Sequence, residues 1–105
     1  MMNITQFSRT AKALADPRRF EILEAIAATE ESSCTALVEQ FPISQATVSH
    51  HLKELANADL IMVRREGQHC YYHFCPQVLG EYIEELQRRT TGRQPLAANP
   101  SKVVH

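Results

Sequence analysis

Glycine is scarce in this chain, three in 105 residues, and none sits in a loop of the kind that cradles phosphates. With 44% hydrophobic residues, that scarcity fits a folded, mostly helical protein and excludes a disordered one. Long apolar runs are also missing. Nothing approaches the roughly 18 residues of a membrane span, and MMNITQFSRT lacks the apolar centre of a signal peptide, so a cytoplasmic location without membrane contact is expected. Cysteine is limited to three, an odd number without framework spacing, which excludes a disulfide scaffold and fits thiols in a reducing compartment. An excess of positive charge is absent too: 11 Lys and Arg stand against 12 Asp and Glu, for a net charge of −1. Such a chain does not bind phosphate backbones indiscriminately. To read nucleic acid it must gather its cations on one face.

The length allows one small domain with a limited core, expected over 1–91, followed by a disordered tail over 92–105 with Pro95 and Pro100 among small polar residues. Ile4, Phe7, Ala11 and Leu14 recur at helical spacing and predict a first amphipathic helix. Asp16-Pro17 ends it and opens the next, because Asp is a preferred N-cap and Pro at the first helical position loses no hydrogen bond. Phe20, Leu23, Ile26 and Ala27 are the expected buried face of that second helix. The polar run Thr29 to Ser33 reads as a loop, with Ser32 or Ser33 capping a short third helix that carries Leu37 and Phe41.

After the turn Pro42-Ile43-Ser44, a fourth helix runs to about Ala58, with Ser44 as its cap and Ile43 and Val48 as a hydrophobic staple. Leu60 to Glu66 and His69 to Cys75 read as two strands around a Glu66-Gly67-Gln68 loop. Pro76 opens a last helix with Val78, Leu79, Tyr82, Ile83 and Leu86 on one stripe. The expected fold class is mainly α with a β-hairpin wing: a winged helix-turn-helix of five helices and a two-stranded wing.

The fourth helix carries the functional reading. Val48, Leu52 and Leu55 share one face, with His51 at its margin. The other face presents Ser44, Gln45, Ala46, Thr47, Ser49, His50, Lys53 and Asn57. Short polar side chains with one cation suit a major groove, where donors and acceptors meet base edges and small groups permit close approach. Gln45 is placed to bond adenine and Thr47 to touch a thymine methyl. Ser44, Ser49 and Lys53 are placed for phosphates, near the positive end of the helix dipole. Arg64, Arg65, Gln68 and His69 put polar and cationic groups near the wing tip. On the second strand Cys70, Tyr72 and Phe74 alternate inward while His69, Tyr71 and His73 alternate outward.

Three segments, ALADPRRFEILEAI, SQATVSHHLKELANADLI and VRREGQHCYYHF, carry a resemblance to the ArsR/SmtB-type repressors. It spans about residues 4 to 90. It implies a bacterial winged-helix homodimer that represses its own or a neighbouring operon and leaves operator DNA when an inducer binds. It also implies pairing through the first and last helices, at Ile4, Phe7, Ala11, Val78, Leu79, Tyr82, Ile83 and Leu86. The family's metal ligands do not carry over. Where one group of its sensors has a Cys-Val-Cys pair, this chain has Ser33 and Thr35, with Cys34 in place of the intervening valine. Where another group ligates zinc through its last helices, this chain has Cys75, Gln77, Arg88 and Thr91. No metal and no cofactor are expected.

The thiols therefore become the candidate sensor. Cys75 precedes Pro76 at the start of the last helix, where the dipole is expected to lower a thiol pKa; Cys70 and Cys34 are the other candidates. Cys70 and Cys75 have opposite strand parity, so a bond between them requires the strand to bend or end early. His50 and His51 point to different sides of their helix, and His69 and His73 lie about 13 Å apart at strand rise. Neither pair shares a metal easily. The competing reading is a winged-helix module that binds a protein instead of DNA, which the net charge permits. An enzyme has no motif to support it.

Overall fold

Asn3 accepts the Gln6 N–H at 2.8 Å and so starts the first helix, α1 (Ile4–Ala15). Asp16 then turns the chain in an extended conformation, and its carboxylate accepts the Arg19 N–H at 2.9 Å to cap α2 (Pro17–Ala27). Pro17 occupies the first turn, as the sequence predicts. The computed structural model describes residues 1–91; the tail expected to be disordered, 92–105, lies outside the described residues.

Beyond α2 come β1 (Ser32–Ser33), α3 (Cys34–Gln40), α4 (Gln45–Asn57), β2 (Ile61–Glu66), β3 (His69–Phe74) and α5 (Pro76–Thr91). Ser33 caps α3 through the Ala36 N–H at 3.1 Å, and Ser44 caps α4 through the Thr47 N–H at 3.1 Å. Among the described residues no helix is long and apolar enough to cross a membrane.

The core gathers Ile22, Leu23 and Ile26 of α2, Leu37 of α3, Val48, Leu52 and Leu55 of α4, and Leu60, Ile61 and Tyr72 from the sheet. Each large aliphatic side chain removed from water contributes about 1.5–3 kcal/mol. Ile43 packs against the same cluster as Val48, which fits the expected staple at the entrance to α4. Two expectations on α2 are corrected. Phe20 is 41% exposed and Ala27 is exposed, while Ile22 is fully buried. Two residues span about 200° around a helix, so turning Ile22 onto α4 turns Phe20 toward solvent.

The end of α4 sets where the wing begins. Ala58 caps the helix, Asp59 N–H bonds Ala56 O at 3.0 Å, and Leu60 N–H bonds Leu55 O at 3.1 Å. Those two bonds make a Schellman stop, with Asp59 in the left-handed region at φ 62. Leu55 and Leu60, both fully buried, supply the hydrophobic contact that accompanies it.

The wing is larger and differently registered than the sequence suggests. The sheet has three antiparallel strands in the order β1-β3-β2, because Ser32 and Ser33, expected as loop, pair with Tyr72 and Tyr71. The hairpin turn is Gly67-Gln68 alone, with Glu66 opposite His69. Gly67 takes φ +62 at the first turn position, the pattern of a II′ turn, and an added methyl there meets no atom within 4 Å.

Val78 and Leu79 at the start of α5 pack against the core of their own chain. Further along, Tyr82 stacks on Phe7 of α1 with ring centroids 5.0 Å apart. Glu85, 4% exposed, pairs with Arg88 and accepts Arg89 Nε at 2.7 Å, and the Arg89 guanidinium lies 5.1 Å over the Phe7 ring. Together these contacts fasten α5 to α1.

Candidate nucleic-acid interface

Turning Val48, Leu52 and Leu55 inward leaves Ser44, Gln45, Ala46, Thr47, Ser49, His50, Lys53 and Asn57 exposed on α4. The start of this face is locally fixed, since the Ser44 and Thr47 hydroxyls bond each other at 2.8 Å in addition to the cap. His51 is the polar exception on the buried side. It is 7% exposed, and its Nδ1 accepts Arg19 Nε at 3.3 Å, while Arg19 Nη1 also reaches the Lys12 carbonyl at 3.3 Å. Arg19 thus holds α1, α2 and α4 together. Burial is the main cause that keeps the His51 imidazole below its usual range, so it stays neutral and can accept.

The solvent face of α4 meets the wing across a cleft of about 620 Å³. Gln45, Ser49, Lys53 and Asn57 form one wall, Arg65, Gln68 and His69 the other, and Cys34, Val63, Cys70 and Tyr72 lie between. Helix and wing therefore bring Gln45, Ser49, Lys53, Arg65, Gln68 and His69 around one concavity. Ser44, Ala46, Thr47 and His50 extend the exposed helix surface outside it.

Arg64 is the site residue that the structure places elsewhere. Strand parity carries it to the far side of the wing, where its guanidinium lies 4.5 Å over the Tyr71 ring. There it donates to both oxygens of Glu31, at 3.1 and 2.8 Å, and to Glu66 at 2.8 Å. Arg65 by contrast makes a single weak side-chain bond, Nη1 to Cys70 Sγ at 3.5 Å. The inward set of β3 follows the expected alternation: Tyr72 is buried, and Cys70 and Phe74 pack on the core.

The thiols are all free and all partly buried. Burial, with the Asp59 carboxylate second, pushes the Cys75 thiol up, opposite to the acidification expected from its place before the last helix. Its backbone N–H bonds Leu60 O at 2.9 Å. Burial likewise raises Cys34. Among the described residues no group of three His, Cys, Asp or Glu side chains is placed to hold a metal. His50 and His51 have ring centroids 6.0 Å apart at 51°.

Of the residues expected to pair two chains, Ile4, Ile83 and Leu86 are exposed at 58%, 46% and 40%. Phe7, Ala11 and Tyr82 are partly covered by one another's helices, and Val78 and Leu79 belong to the single-chain core. Glu85, its arginines, and the Arg19–His51 bond were not singled out as site features by the sequence. The acid at Glu85 and bases at Arg88 and Arg89 have the spacing of helical ion pairs, which was the available signal.

Comparison with known proteins gives a concordant result. A helix-turn-helix domain family matches residues 14–64. The arsenical resistance operon repressor of Staphylococcus aureus is 33% identical over 93 residues, covering 89% of this chain and 88% of the relative. The solution structure of a homodimeric winged helix-turn-helix DNA-binding domain from Mycobacterium bovis, a possible ArsR-family regulator, superimposes with a TM-score of 0.67 at 27% identity, covering 87% of this chain and 84% of that one. An ArsR-like transcriptional regulator from Rhodococcus sp. RHA1 gives a TM-score of 0.77 over 96% of this chain and 94% of its own; at 21% identity it speaks for the fold alone.

Proposed function

Because the chain belongs to the ArsR/SmtB family of winged helix-turn-helix transcriptional regulators, we propose that it is a homodimeric, sequence-specific repressor that binds operator DNA of its own or a neighbouring operon. The observation that carries this reading is the concavity in which the polar face of α4 and the wing residues Arg65, Gln68 and His69 stand opposite each other. A helix of this character enters a major groove, and the wing rests on the adjoining backbone. Gln45, Ala46 and Thr47 face base edges; Ser44, Ser49, His50, Lys53, Arg65, Gln68 and His69 hold backbone or flanking groups. Arg64 acts through its grip on Glu31, as a brace for the wing.

The second copy is seated on the exposed stripe of Ile4, Ile83 and Leu86, continuous with Phe7, Ala11 and Tyr82. A two-fold pair sets its reading helices about one DNA turn apart, roughly 34 Å, which supplies the specificity that a net charge of −1 withholds from a single chain. A thiol-reactive signal relieves repression.

The test is fluorescence anisotropy of the reduced protein on the DNA upstream of its own gene, with scrambled DNA as competitor. Tight, competitor-resistant binding is expected. Loss of preference there and in a genome-wide selection would end the repressor reading in favour of a protein partner, which the charge balance allows.

A further inference from the structure

Cys34 and Cys70 line the same cleft. β1 pairs Ser32 with Tyr72 and Ser33 with Tyr71, so Cys34, next along the chain, leaves the ladder on the side of Cys70, the next residue of β3 toward the tip. Opposed residues on neighbouring strands share a face, with Cβ atoms about 4.5–5.5 Å apart. A disulfide needs its Cβ atoms about 3.5–4.5 Å apart. Cys34 is also the first residue of α3, where the chain is already turning, so the approach does not require breaking a ladder. Tyr72 lines the same open cleft beside both thiols. Cys75 stands apart. It lies beyond the far end of β3, about 16 Å from Cys70 at strand rise, and does not line the cleft.

The charges agree with this proximity. Burial raises the Cys34 thiol, and a charge on Cys70 raises it further. Tyr72 is pushed up to about 12, by burial first and then by the two cysteines, so its hydroxyl remains a proton donor beside the sulfurs. Arg65 Nη1 donates to Cys70 Sγ at 3.5 Å, which ties the wall of the cleft to one of the two thiols.

We propose that Cys34 and Cys70 are a dithiol modification site, closed by hydrogen peroxide to an intrachain disulfide that lowers affinity for the operator. This deepens the thiol-dependent release proposed above and rests on the DNA-binding reading. Cys70 sulfur attacks the peroxide; an S–O bond forms, the O–O bond breaks, and the departing oxygen leaves as water with the thiol proton. Cys34 sulfur then attacks Cys70 sulfur and displaces the hydroxyl, which takes the Cys34 proton and leaves as a second water. Two thiols lose two electrons, and one peroxide gains them. The new bond draws the Cys70 sulfur toward the start of α3 and away from Arg65, and so alters the wall that faces the DNA backbone. Because the two thiols sit on different elements, the bond also locks α3 to the wing.

The experiment uses the full chain, reduced and then titrated with hydrogen peroxide. Non-reducing tryptic digestion with mass spectrometry and operator anisotropy are read on the same samples. Trypsin separates Cys34 from Cys70 at Lys53, Arg64 and Arg65 but leaves Cys70 and Cys75 on one peptide, so wild type is run beside Cys75→Ser. The expected result is a Cys34–Cys70 peptide in both, reversed by dithiothreitol, with a loss of operator affinity on the order of tenfold. Cys34→Ser and Cys70→Ser, each compared with its own reduced state, should lose the peroxide response. A bond through Cys75, a bond between chains, or no bond would overturn the site. A Cys34–Cys70 bond with unchanged operator affinity, or an equal loss in peroxide-treated Cys34→Ser, would overturn its role as a switch. If the bond forms but the reduced protein has no preferred DNA, the repressor reading fails and the dithiol site stands.

Discussion

Arg64 holds Glu31 with two parallel hydrogen bonds, Nε to Oε2 at 3.1 Å and Nη2 to Oε1 at 2.8 Å, and so ties β2 to the segment that leads into β1. The adjacent Arg65 carries its charge on the opposite face, toward α4. Neighbouring arginines with the same chemistry are therefore expected to give different phenotypes. Arg65→Ala should weaken operator binding and reduce the slope of log affinity against log salt by about 1, as for one lost phosphate contact. Arg64→Ala should leave that slope unchanged and lower the melting temperature only slightly, because the pair is substantially exposed and screened. Equal salt slopes for the two variants would refute the division of labour.

Gln45 sits at the first position of α4, exposed, on the rim of the cleft. Replacement by alanine should cost about 1–3 kcal/mol on the cognate operator and little on scrambled DNA. Parallel losses on both DNAs would assign Gln45 to backbone contact.

Asp59 occupies the left-handed position that ends α4, at φ 62, and its carboxylate contributes to the raised Cys75 thiol. Asp59→Gly should relieve the backbone without loss of packing and raise stability by about 0.5–1 kcal/mol in thermal melts. The same substitution should shift the pH profile of Cys75 alkylation toward lower pH, with burial still holding the thiol above its ordinary range. A melting temperature that falls would indicate that the carboxylate makes a stabilising contact outweighing the strain.

Stability should decline on acidification in two stages. Burial, aided by Arg19, His50 and Arg18 against the pull of Asp16, keeps the His51 imidazole below its ordinary 6.5. The unfolded chain then binds more protons just below that value, so the His51 contribution is complete above 6.5 and is lost as pH falls from there through the lower folded value. Asp16 is held below 3.8 chiefly by the Arg19 N–H, Glu31 below 4.5 by Arg64, and Glu85 below 4.5 by Arg88. Their contributions persist above those values and disappear as pH drops through the folded ones. Melting curves from pH 7 to 3 should show both stages in wild type, and His51→Gln should flatten only the upper one.

Local chemistry was the legible part of the fold. Asp16-Pro17 and Ser44 announce their caps, and the third cap was narrowed to Ser32 or Ser33, because the capping oxygen and the N–H it accepts are three residues apart in sequence. The inward set of β3 was readable from alternation alone. What depends on distant partners was not. Ser32 and Ser33 are polar and form a strand only because Tyr71 and Tyr72 lie alongside. Phe20 outranks Ile22 in size, yet the rotation of α2 is decided by what α4 presents to it.

The placement of Arg64 turned on one residue of turn length. A three-residue loop, Glu66-Gly67-Gln68, would set Arg64 opposite Cys70 and on the cleft side. The observed Gly67-Gln68 turn sets Arg65 there instead. The sequence places both neighbouring arginines near the wing tip, but adjacent residues of a strand face opposite ways, and the observed register gives the cleft to Arg65.

Strand β3 has a partner on both sides at Tyr71 and Tyr72, but beyond Cys70 only β2 accompanies it. Mechanically the wing is a cantilever, clamped at its root and free over the short span around Gly67. Deflection under load therefore concentrates at the tip while the root keeps its register. Such a beam can follow the varying width of a DNA groove without disturbing the helix it is mounted beside.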